Sequence, residues 1–221
     1  MATDGLLLIG TRRYSSWSLR GWLAVRLGGL QVEEVVIPLT GGGTTSEVAR
    51  RTPSGTVPFL EHRGNRVWET IAICEYCAEL KASLWPDGLE ARTHARVISA
   101  EMHAGFRGLR QAMPMVLGLD GAGRGQTPEA LADIARIEAL WRETRARFGS
   151  GGPYLFGATF NNADAMYAPV VTRLLTYLPP IAADTLAYCE AVRAHPLVAE
   201  WYDLAAQEPK EWRLAHYEES P

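Results

Sequence analysis

Over the first 80 residues, short hydrophobic and polar segments alternate and predict a small α/β unit. Residues 6–9 form an apolar run that ends at a glycine, which is typical of a buried strand. Within residues 15–27, apolar side chains recur every three or four positions, which predicts a helix that stops at the following pair of glycines. The same criteria predict strands at 33–37, 57–61 and 65–68 and helices at 46–51 and 69–80. The predicted order is βαβ, then α, then ββα.

Beyond residue 85 the strand signals nearly vanish and the pattern becomes helical. Residues 81–90 contain Pro86 and Gly88 without periodicity, as expected for a linker. A long amphipathic helix is predicted over 91–113, with a kink at Pro114. Its apolar face consists of Ala95, Ile98, Met102, Phe106, Leu109 and Met113. Further helices are predicted at 128–148 and near 162–178, 184–194 and 197–207. We therefore expect an α/β domain over 1–82, a linker over 83–90 and an all-helical domain over 91–221.

Composition and charge exclude several classes of protein. The 221 residues are 47% hydrophobic and 21% charged, which is enough apolar material for a buried core and excludes intrinsic disorder. The formal net charge of −3 gives no reason to expect nucleic acid or anionic lipid as a partner. Neither a membrane-length apolar run nor a signal-peptide pattern is found, so we expect a cytoplasmic protein that does not span a membrane.

The three cysteines do not form a disulfide framework, but two of them lie in a C-x-x-C motif. A redox pair needs the helix start after the first strand, whereas Cys74 and Cys77 fall in the middle of a later predicted helix. Buried packing is the favoured interpretation, and a thiol–disulfide oxidoreductase is the alternative, which predicts thiols that react readily. Zinc needs two more ligands, and His62 has no partner motif, so no metal is expected.

Three motifs lie at element boundaries where backbone amides are free. In the segment YSSWSLR (14–20), a serine at a helix start is by default a cap, but a hydroxyl there can also stabilise an anion such as a thiolate. In the segment VPFL (57–60), the proline is by default trans, since only about 5–6% of X-Pro bonds are cis. In the segment WETIAI (68–73), the acid and hydroxyl are either a helix cap or a site for a ligand's ammonium and carboxylate groups.

Together, in this order and on this frame, the three motifs resemble the glutathione transferase superfamily. The resemblance covers nearly the whole chain and implies a thioredoxin-like N-terminal domain followed by an all-α domain. Serine-type members carry a serine five positions before an arginine, here Ser15 and Arg20. The zeta class, with its Ser-Ser-Cys-Ser-x-Arg motif, is the most similar, although Trp17 replaces its cysteine.

The resemblance assigns roles to individual residues. Ser15 would donate its hydroxyl to the glutathione thiolate, with Ser16 close by. Val57 would pair its backbone with the cysteinyl part of glutathione, and Pro58 would then be cis, contrary to the default. The γ-glutamyl end would be held by Glu69 and Thr70.

In the helical half, the resemblance implies a structural motif and a second substrate pocket. Asn161 and Asp164 match the family's buried capping box. An electrophile would lie between the domains, beside the first long helix. The pocket candidates are Tyr14, Trp17, Met102, His103, Phe106 and Arg110. Core packing is the stronger interpretation for Met102 and Phe106, because apolar side chains at helical spacing are mostly buried.

The resemblance implies a glutathione transferase with a role in detoxification. By analogy with the superfamily, it also implies a homodimer. Glutathione would be the co-substrate and a small hydrophobic electrophile the second substrate. Conjugation, isomerisation and peroxide reduction all fit the same frame. A scaffold without catalytic activity that binds glutathione or a protein is the alternative from another class, because a fold does not determine a function.

Overall fold

The computed structural model describes residues 3–41 and 45–218. The N-terminal part follows the predicted order of elements. These are β1 (Gly5–Gly10), α1 (Ser16–Gly28), β2 (Glu33–Ile37), α2 (Ser46–Arg51), β3 (Phe59–His62), β4 (Asn65–Trp68) and α3 (Thr70–Leu80). A short 3₁₀ turn at Ala82–Leu84 leads out of this part.

The four strands form one mixed sheet in the order β2-β1-β3-β4. β1 is parallel to β2 and antiparallel to β3, which is antiparallel to β4. Successive side chains of a strand point to opposite faces. Accordingly Leu7 and Ile9 belong to the main core, whereas Leu8 belongs to a smaller cluster with Val48 of α2. The β3–β4 turn at Arg63 and Gly64 has positive φ at both positions, as a tight hairpin turn requires.

The rest of the described chain is helical. Its helices are α4 (Leu89–Ala104), α5 (Arg107–Ala112), α6 (Pro128–Phe148), α7 (Asn162–Tyr177), α8 (Ala183–Ala194), α9 (Pro196–Ala206) and α10 (Ala215–Glu218), with a 3₁₀ turn at Lys210–Trp212. The thioredoxin-like α/β part followed by an all-α part confirms the predicted fold class. In the described residues, no helix is both long enough and apolar enough to cross a bilayer.

The two parts share one continuous core. A single cluster of buried side chains runs from Leu7 in β1 through Trp22 in α1 to Trp201 in α9. Buried polar contacts also cross between the parts, since the Arg20 Nε donates to the Met166 carbonyl over 2.6 Å. The relative placement of the sheet and the helices is therefore fixed by packing.

The prediction of one helix over 91–113 was wrong, because α4 ends at Ala104 and α5 begins at Arg107. Phe106 lies between them with φ of 57°, a left-handed conformation that no helix continues through. The break lets α5 pack closely on α6, where a Cβ on Gly108 would lie 2.8 Å from the Glu129 backbone. The Asp133 carboxylate of α6 also accepts the Leu109 N–H at 2.9 Å. The chain then leaves α5 before Pro114, so no kinked helix continues there.

The predicted capping box at the start of α7 is confirmed. The Asn161 side chain accepts the Ala163 N–H at 2.8 Å, and the Asp164 carboxylate accepts the Asn161 N–H at 3.0 Å. Asp164 also accepts the Leu155 N–H and the Tyr188 hydroxyl. Burial raises the pKa of Asp164 to about 6, against the opposing effect of these donors.

Candidate functional site

A cleft of about 760 Å³ lies between the α/β part and the helical part. One wall is formed by the start of α1 and the segment before β3, the other by the region from the end of α4 to Met115 and by α7. The lining residues are Tyr14, Ser15, Ser16, Trp17, Leu39, Gly41, Thr45, Val48, Gly55, Thr56, Val57, Ala104, Arg107, Arg110, Gln111, Pro114, Met115, Arg173, Leu214 and Tyr217. This volume falls in the range typical of small-molecule sites, about 300–1,000 Å³.

Ser15 lies at the cleft and caps α1. Its Oγ accepts the Ser18 N–H at 3.3 Å and donates to the Ser18 Oγ at 2.7 Å. Ser18 in turn accepts the Gly10 N–H at 3.0 Å, which ties the start of α1 to the end of β1. The hydroxyl proton of Ser15 can rotate toward the cleft, where the positive end of the α1 dipole favours a negative charge.

The Val57–Pro58 peptide bond is cis, as the resemblance implied and contrary to the default for proline. Val57 lines the cleft and lies outside the strand ladder, which begins at Phe59. Within the described chain its backbone N–H and C=O have no backbone partner. Val57 therefore offers an unpaired backbone N–H and C=O to an extended ligand, in the manner of strand addition.

Glu69 and Thr70 meet the start of α1 from the side, although neither lines the cleft itself. The Thr70 hydroxyl donates to the Trp17 carbonyl at 3.4 Å. Glu69 precedes α3 with φ of 66° and makes no capping bond with its side chain, so its carboxylate is not used as a cap. Its Oε2 lies 3.3 Å from the His103 Nε2. Burial lowers the pKa of His103, with Glu69 opposing this effect.

The candidates for the electrophile pocket separate into two groups. Tyr14, Trp17 and Arg110 line the cleft. Met102 and Phe106 lie in the core instead, which is the interpretation that the helical spacing favoured. His103 lies behind the cleft lining, with its ring 5.1 Å from that of Trp17 and edge-on to it.

Several lining residues were not singled out from the sequence, above all Arg107, Arg173, Leu214 and Tyr217. The sequence does mark Arg173, because it lies within the apolar pattern of α7, and arginines are rarely buried unless they are paired. Arg107 lies one helical turn before the candidate Arg110, so the same face of α5 carries both. Leu214 and Tyr217 had no sequence signal, because they reach the cleft only when the C-terminal segment folds back.

The C-terminal segment 214–218 is fastened beside the cleft. The Glu218 carboxylate accepts from the Arg13 Nε and Nη2 at 2.6 and 2.7 Å and from the Tyr14 hydroxyl at 2.5 Å. The Tyr14 oxygen accepts the Leu214 N–H at 2.9 Å. The hydrogen bonds from Arg13 lower the pKa of Glu218, while burial opposes them. We call this set of contacts the C-terminal latch.

Cys74 and Cys77 are buried in the middle of α3 as free thiols. Burial raises the pKa of Cys74 far above that of a free thiol and the pKa of Cys77 to about 12. A thiol with so high a pKa is scarcely ionised at neutral pH, and the thiolate is the reactive form. The packing interpretation of the C-x-x-C motif is therefore the one that the structure favours.

The thioredoxin-like half of this two-part fold presents the start of α1 and the unpaired backbone of Val57 to the cleft. A family model described as the glutathione S-transferase N-terminal domain matches residues 14–80. One described as the glutathione S-transferase C-terminal domain matches residues 119–204. The chain therefore belongs to the glutathione transferase superfamily.

Solved structures resemble the chain over nearly its whole length at low identity. A glutathione transferase homologue from Burkholderia strain BGR1, with bound glutathione, is 20% identical with a TM-score of 0.71, covering 93% of this chain and 100% of its own. A maleylacetoacetate isomerase from Anaeromyxobacter dehalogenans, with glutathione in its active site, is 21% identical with a TM-score of 0.65, covering 94% and 97%. At this identity the likeness shows the fold. No curated protein sequence matches the chain.

Proposed function

We propose that this protein is a glutathione transferase that activates the glutathione thiol at Ser15 for attack on an electrophile held between the two parts. The observation that carries the proposal is the position of the Ser15 hydroxyl, at the start of α1 and in the lining of the cleft. The free backbone edge of Val57 lines the same cleft. Glutathione-bound relatives with this fold support the choice of ligand.

In the proposed complex, the glutathione cysteinyl backbone pairs with Val57 as an added strand. Its sulfur then lies at the start of α1, where the Ser15 hydroxyl turns from Ser18 to donate to it. A hydrogen bond to the charged form, together with the helix dipole, lowers the pKa of the thiol from its usual value of about 8.5. More thiolate is therefore present at neutral pH, and the thiolate is the nucleophile.

The γ-glutamyl end of glutathione is assigned to Glu69 and Thr70 at the start of α3. The Glu69 carboxylate makes no capping bond and can accept an ammonium group, with the His103 Nε2 3.3 Å from its Oε2. The start of α3 supplies backbone amides for the ligand carboxylate. Ser16, at the first turn of α1, lies close to the proposed sulfur position.

Replacing Ser15 by Ala tests the mechanism. The pKa of bound glutathione, followed by ultraviolet absorbance of the thiolate, is expected to rise toward that of free glutathione. The rate constant for conjugation is expected to fall about 10²-fold, the effect of removing one preorganised donor to a developing or stabilised anion. Ser16→Ala is the matched control, because it removes a neighbouring hydroxyl from the same turn, and we expect a smaller change in both readouts.

The assignment is wrong if Ser15→Ala changes neither the thiolate absorbance nor the conjugation rate. Calorimetry separates the enzyme from the alternative of a scaffold without catalytic activity. Heat on titration with glutathione and no turnover with any electrophile, peroxide or isomerisable alkene would favour a glutathione-binding scaffold. No heat at millimolar glutathione would favour a protein-binding one.

We further propose that the protein forms a homodimer, is cytoplasmic and acts in detoxification. We also propose that the zeta class is its most similar class. Exposed apolar side chains support self-association, among them Trp68 at the end of β4 and Leu89 and Val97 on α4. A second copy that covered them would remove apolar surface from water.

A further inference from the structure

Ser15 stands at the end of a short turn, residues 11–15, that connects β1 to α1. The turn closes on itself, because the Thr11 carbonyl accepts the Tyr14 N–H at 3.2 Å and the Ser15 N–H at 2.9 Å. The N–H groups of Arg12 and Arg13 take no part in this closure. They therefore need acceptors from another part of the chain.

Glu208 supplies both acceptors. Its Oε1 accepts the Arg12 N–H at 2.7 Å, and its Oε2 accepts the Arg13 N–H at 3.2 Å. Neither N–H has another acceptor among the described residues. The Glu208 side chain is only 7% exposed, so loss of its carboxylate would leave two donors with little access to water. One carboxylate, 196 positions from Arg12 in sequence, thus holds two consecutive amides of the turn that leads to Ser15.

Glu208 is itself fixed relative to α1. It lies two residues beyond the end of α9, and its N–H donates to the Ala205 carbonyl at 3.3 Å. Helix α9 packs on α1 through Trp201, whose ring centroid lies 5.3 Å from that of Trp22. The Trp201 Nε1 also donates to the Arg12 carbonyl at 3.2 Å. The end of α9 therefore holds the turn through two of its N–H groups and one of its carbonyls.

The contacts of the Glu208 carboxylate show what its burial serves. Burial raises the pKa of Glu208, and the N–H groups of Arg12 and Arg13 oppose this effect. The Arg12 guanidinium lies 3.9 Å away, beyond hydrogen-bonding distance, and makes its own hydrogen bond to Glu34 at 2.9 Å. Within the described chain, the hydrogen bonds of the Glu208 carboxylate are therefore with the backbone of the turn and not with a charged side chain.

We propose that Glu208 is a positioning residue for thiolate activation, which fixes the turn so that the Ser15 hydroxyl is directed at the sulfur of glutathione. This inference rests on the proposed function. Glu208 does not line the cleft and touches no ligand in the proposed complex. It also lies beyond residue 204, where the match to the C-terminal family model ends. It therefore acts through the turn and not on the reacting atoms.

The proposed function makes the direction of the Ser15 hydroxyl critical. The Ser15 Oγ lies 2.7 Å from the Ser18 Oγ, and in the proposed complex the hydroxyl turns from there to the sulfur. A hydrogen bond weakens steeply when its angle departs from the optimum. A shift of the turn would therefore leave glutathione bound, with its thiolate less strongly stabilised.

The variant Glu208→Gln tests this with little change of shape. A carboxamide has one acceptor oxygen and one NH₂ group, which is a donor, so it cannot accept both N–H groups as the carboxylate does. The turn then shifts, or one donor stays unpaired. We expect the pKa of the bound glutathione thiol to rise part of the way toward that of free glutathione. We expect kcat/KM for conjugation to fall about tenfold, less than for Ser15→Ala, because the hydroxyl is still present.

Two observations distinguish positioning from other effects. Loss of a negative charge by itself favours a nearby thiolate, so an effect of charge alone predicts a lower thiol pKa in Glu208→Gln, opposite in sign to positioning. S-methylglutathione has no thiol, so its dissociation constant reports on the cleft without the contribution of Ser15. We expect that constant to be unchanged in Glu208→Gln, whereas general damage to the cleft would raise it.

Glu200→Gln on α9 is the matched control. It removes the same charge and changes two hydrogen bonds, which Glu200 accepts from Arg26 at 2.7 and 2.9 Å and not from the turn. Its thiol pKa and kcat/KM should stay at the wild-type values. Glu208→Asp is a second variant in case Glu208→Gln folds poorly. It keeps the charge but is shorter by one methylene, so we expect the thiol pKa to rise again.

A higher thiol pKa in the Glu208 variants, with unchanged binding of S-methylglutathione, supports the inference. An unchanged or lower thiol pKa would overturn it, as would a rise accompanied by equally weaker binding of S-methylglutathione or an equal rise in Glu200→Gln. Ser15→Ala separates this failure from failure of the proposed function. If only Ser15→Ala raises the thiol pKa, the inference alone is wrong. If Ser15→Ala has no effect, the proposed function is wrong and the inference fails with it.

Discussion

The C-terminal latch is expected to control access to the cleft, and Glu218→Gln tests this. The variant keeps the size of the side chain but removes the charge that accepts from both Arg13 nitrogens and from Tyr14. Segment 214–218, which brings Leu214 and Tyr217 to the cleft, should then open more often.

The magnitude follows from the geometry of the latch. Hydrogen bonds to charged groups contribute about 1.5–3 kcal/mol, whereas exposed ion pairs contribute about 0.2–1 kcal/mol. The side chains of Arg13 and Glu218 are 15% and 22% exposed, so an intermediate value of about 1–2 kcal/mol is appropriate for the pair. At 1.36 kcal/mol per factor of ten, the closed-to-open ratio should fall about 5- to 30-fold.

Hydrogen exchange of the backbone amides in this segment measures the opening directly. Protection of the Leu214 N–H, which donates to the Tyr14 hydroxyl, should fall by the same factor in Glu218→Gln. Glu211→Gln is the matched control, because Glu211 is exposed in the 3₁₀ turn just before this segment and forms no ion pair in the described chain. Equal protection in Glu218→Gln and wild type would refute the reasoning.

The latch also has a pH dependence of known sign. The pKa of Glu218 is lowered in the folded protein, chiefly by the hydrogen bonds from Arg13. The stabilisation of the closed latch by the Glu218 charge is therefore fully present above the usual glutamate pKa of about 4.3. It is lost as the pH falls through the lowered pKa of Glu218 in the folded protein. Wild-type protection should decrease over that acidic interval, whereas Glu218→Gln should show no such step.

Two further predictions concern the core. Asn161→Ala removes the acceptor for the Ala163 N–H at the start of α7 and should lower the free energy of unfolding, measured by urea titration, by about 0.5–2 kcal/mol. Asn161→Ser keeps a capping oxygen and should retain most of this stability. Equal losses in the two variants would contradict the capping role. Cys74 and Cys77 should react with a thiol probe slowly in the native protein and rapidly in denaturant, because burial keeps both thiols protonated; rapid native reaction would favour the oxidoreductase alternative.

The local pattern of apolar and polar residues was sufficient to predict the elements of the α/β part, because each element is marked by residues within its own bounds. The apolar run in β1 and the helical spacing in α1 each determine which face is buried. The break between α4 and α5 was not predictable in this way. Its causes, the Asp133 carboxylate and the close approach of Gly108 to Glu129, come from α6, more than twenty residues further along the chain.

The same distinction divides the candidate site. Ser15 and Val57 belong to motifs that lie within a few residues of an element boundary, so sequence alone pointed to them. Arg173 and Tyr217 reach the cleft from distant parts of the chain, and their roles depend on how α7 and the C-terminal segment pack. Arg110 of the helical wall was predicted from the resemblance, whereas Arg173 was not, although an arginine within the apolar pattern of α7 is unusual.

Helix α1 links the two walls of the cleft. α1 carries Ser15 at its start and, one turn later, donates from Arg20 to the Met166 carbonyl of α7. α7 in turn carries Arg173. The separation between the proposed thiolate position and the Arg173 wall of the cleft is therefore set by packing between helices and not by a loop. Since reacting atoms must be held within a few tenths of an ångström for efficient catalysis, substitutions at the α1–α7 contact should impair turnover even when they leave both ligands able to bind.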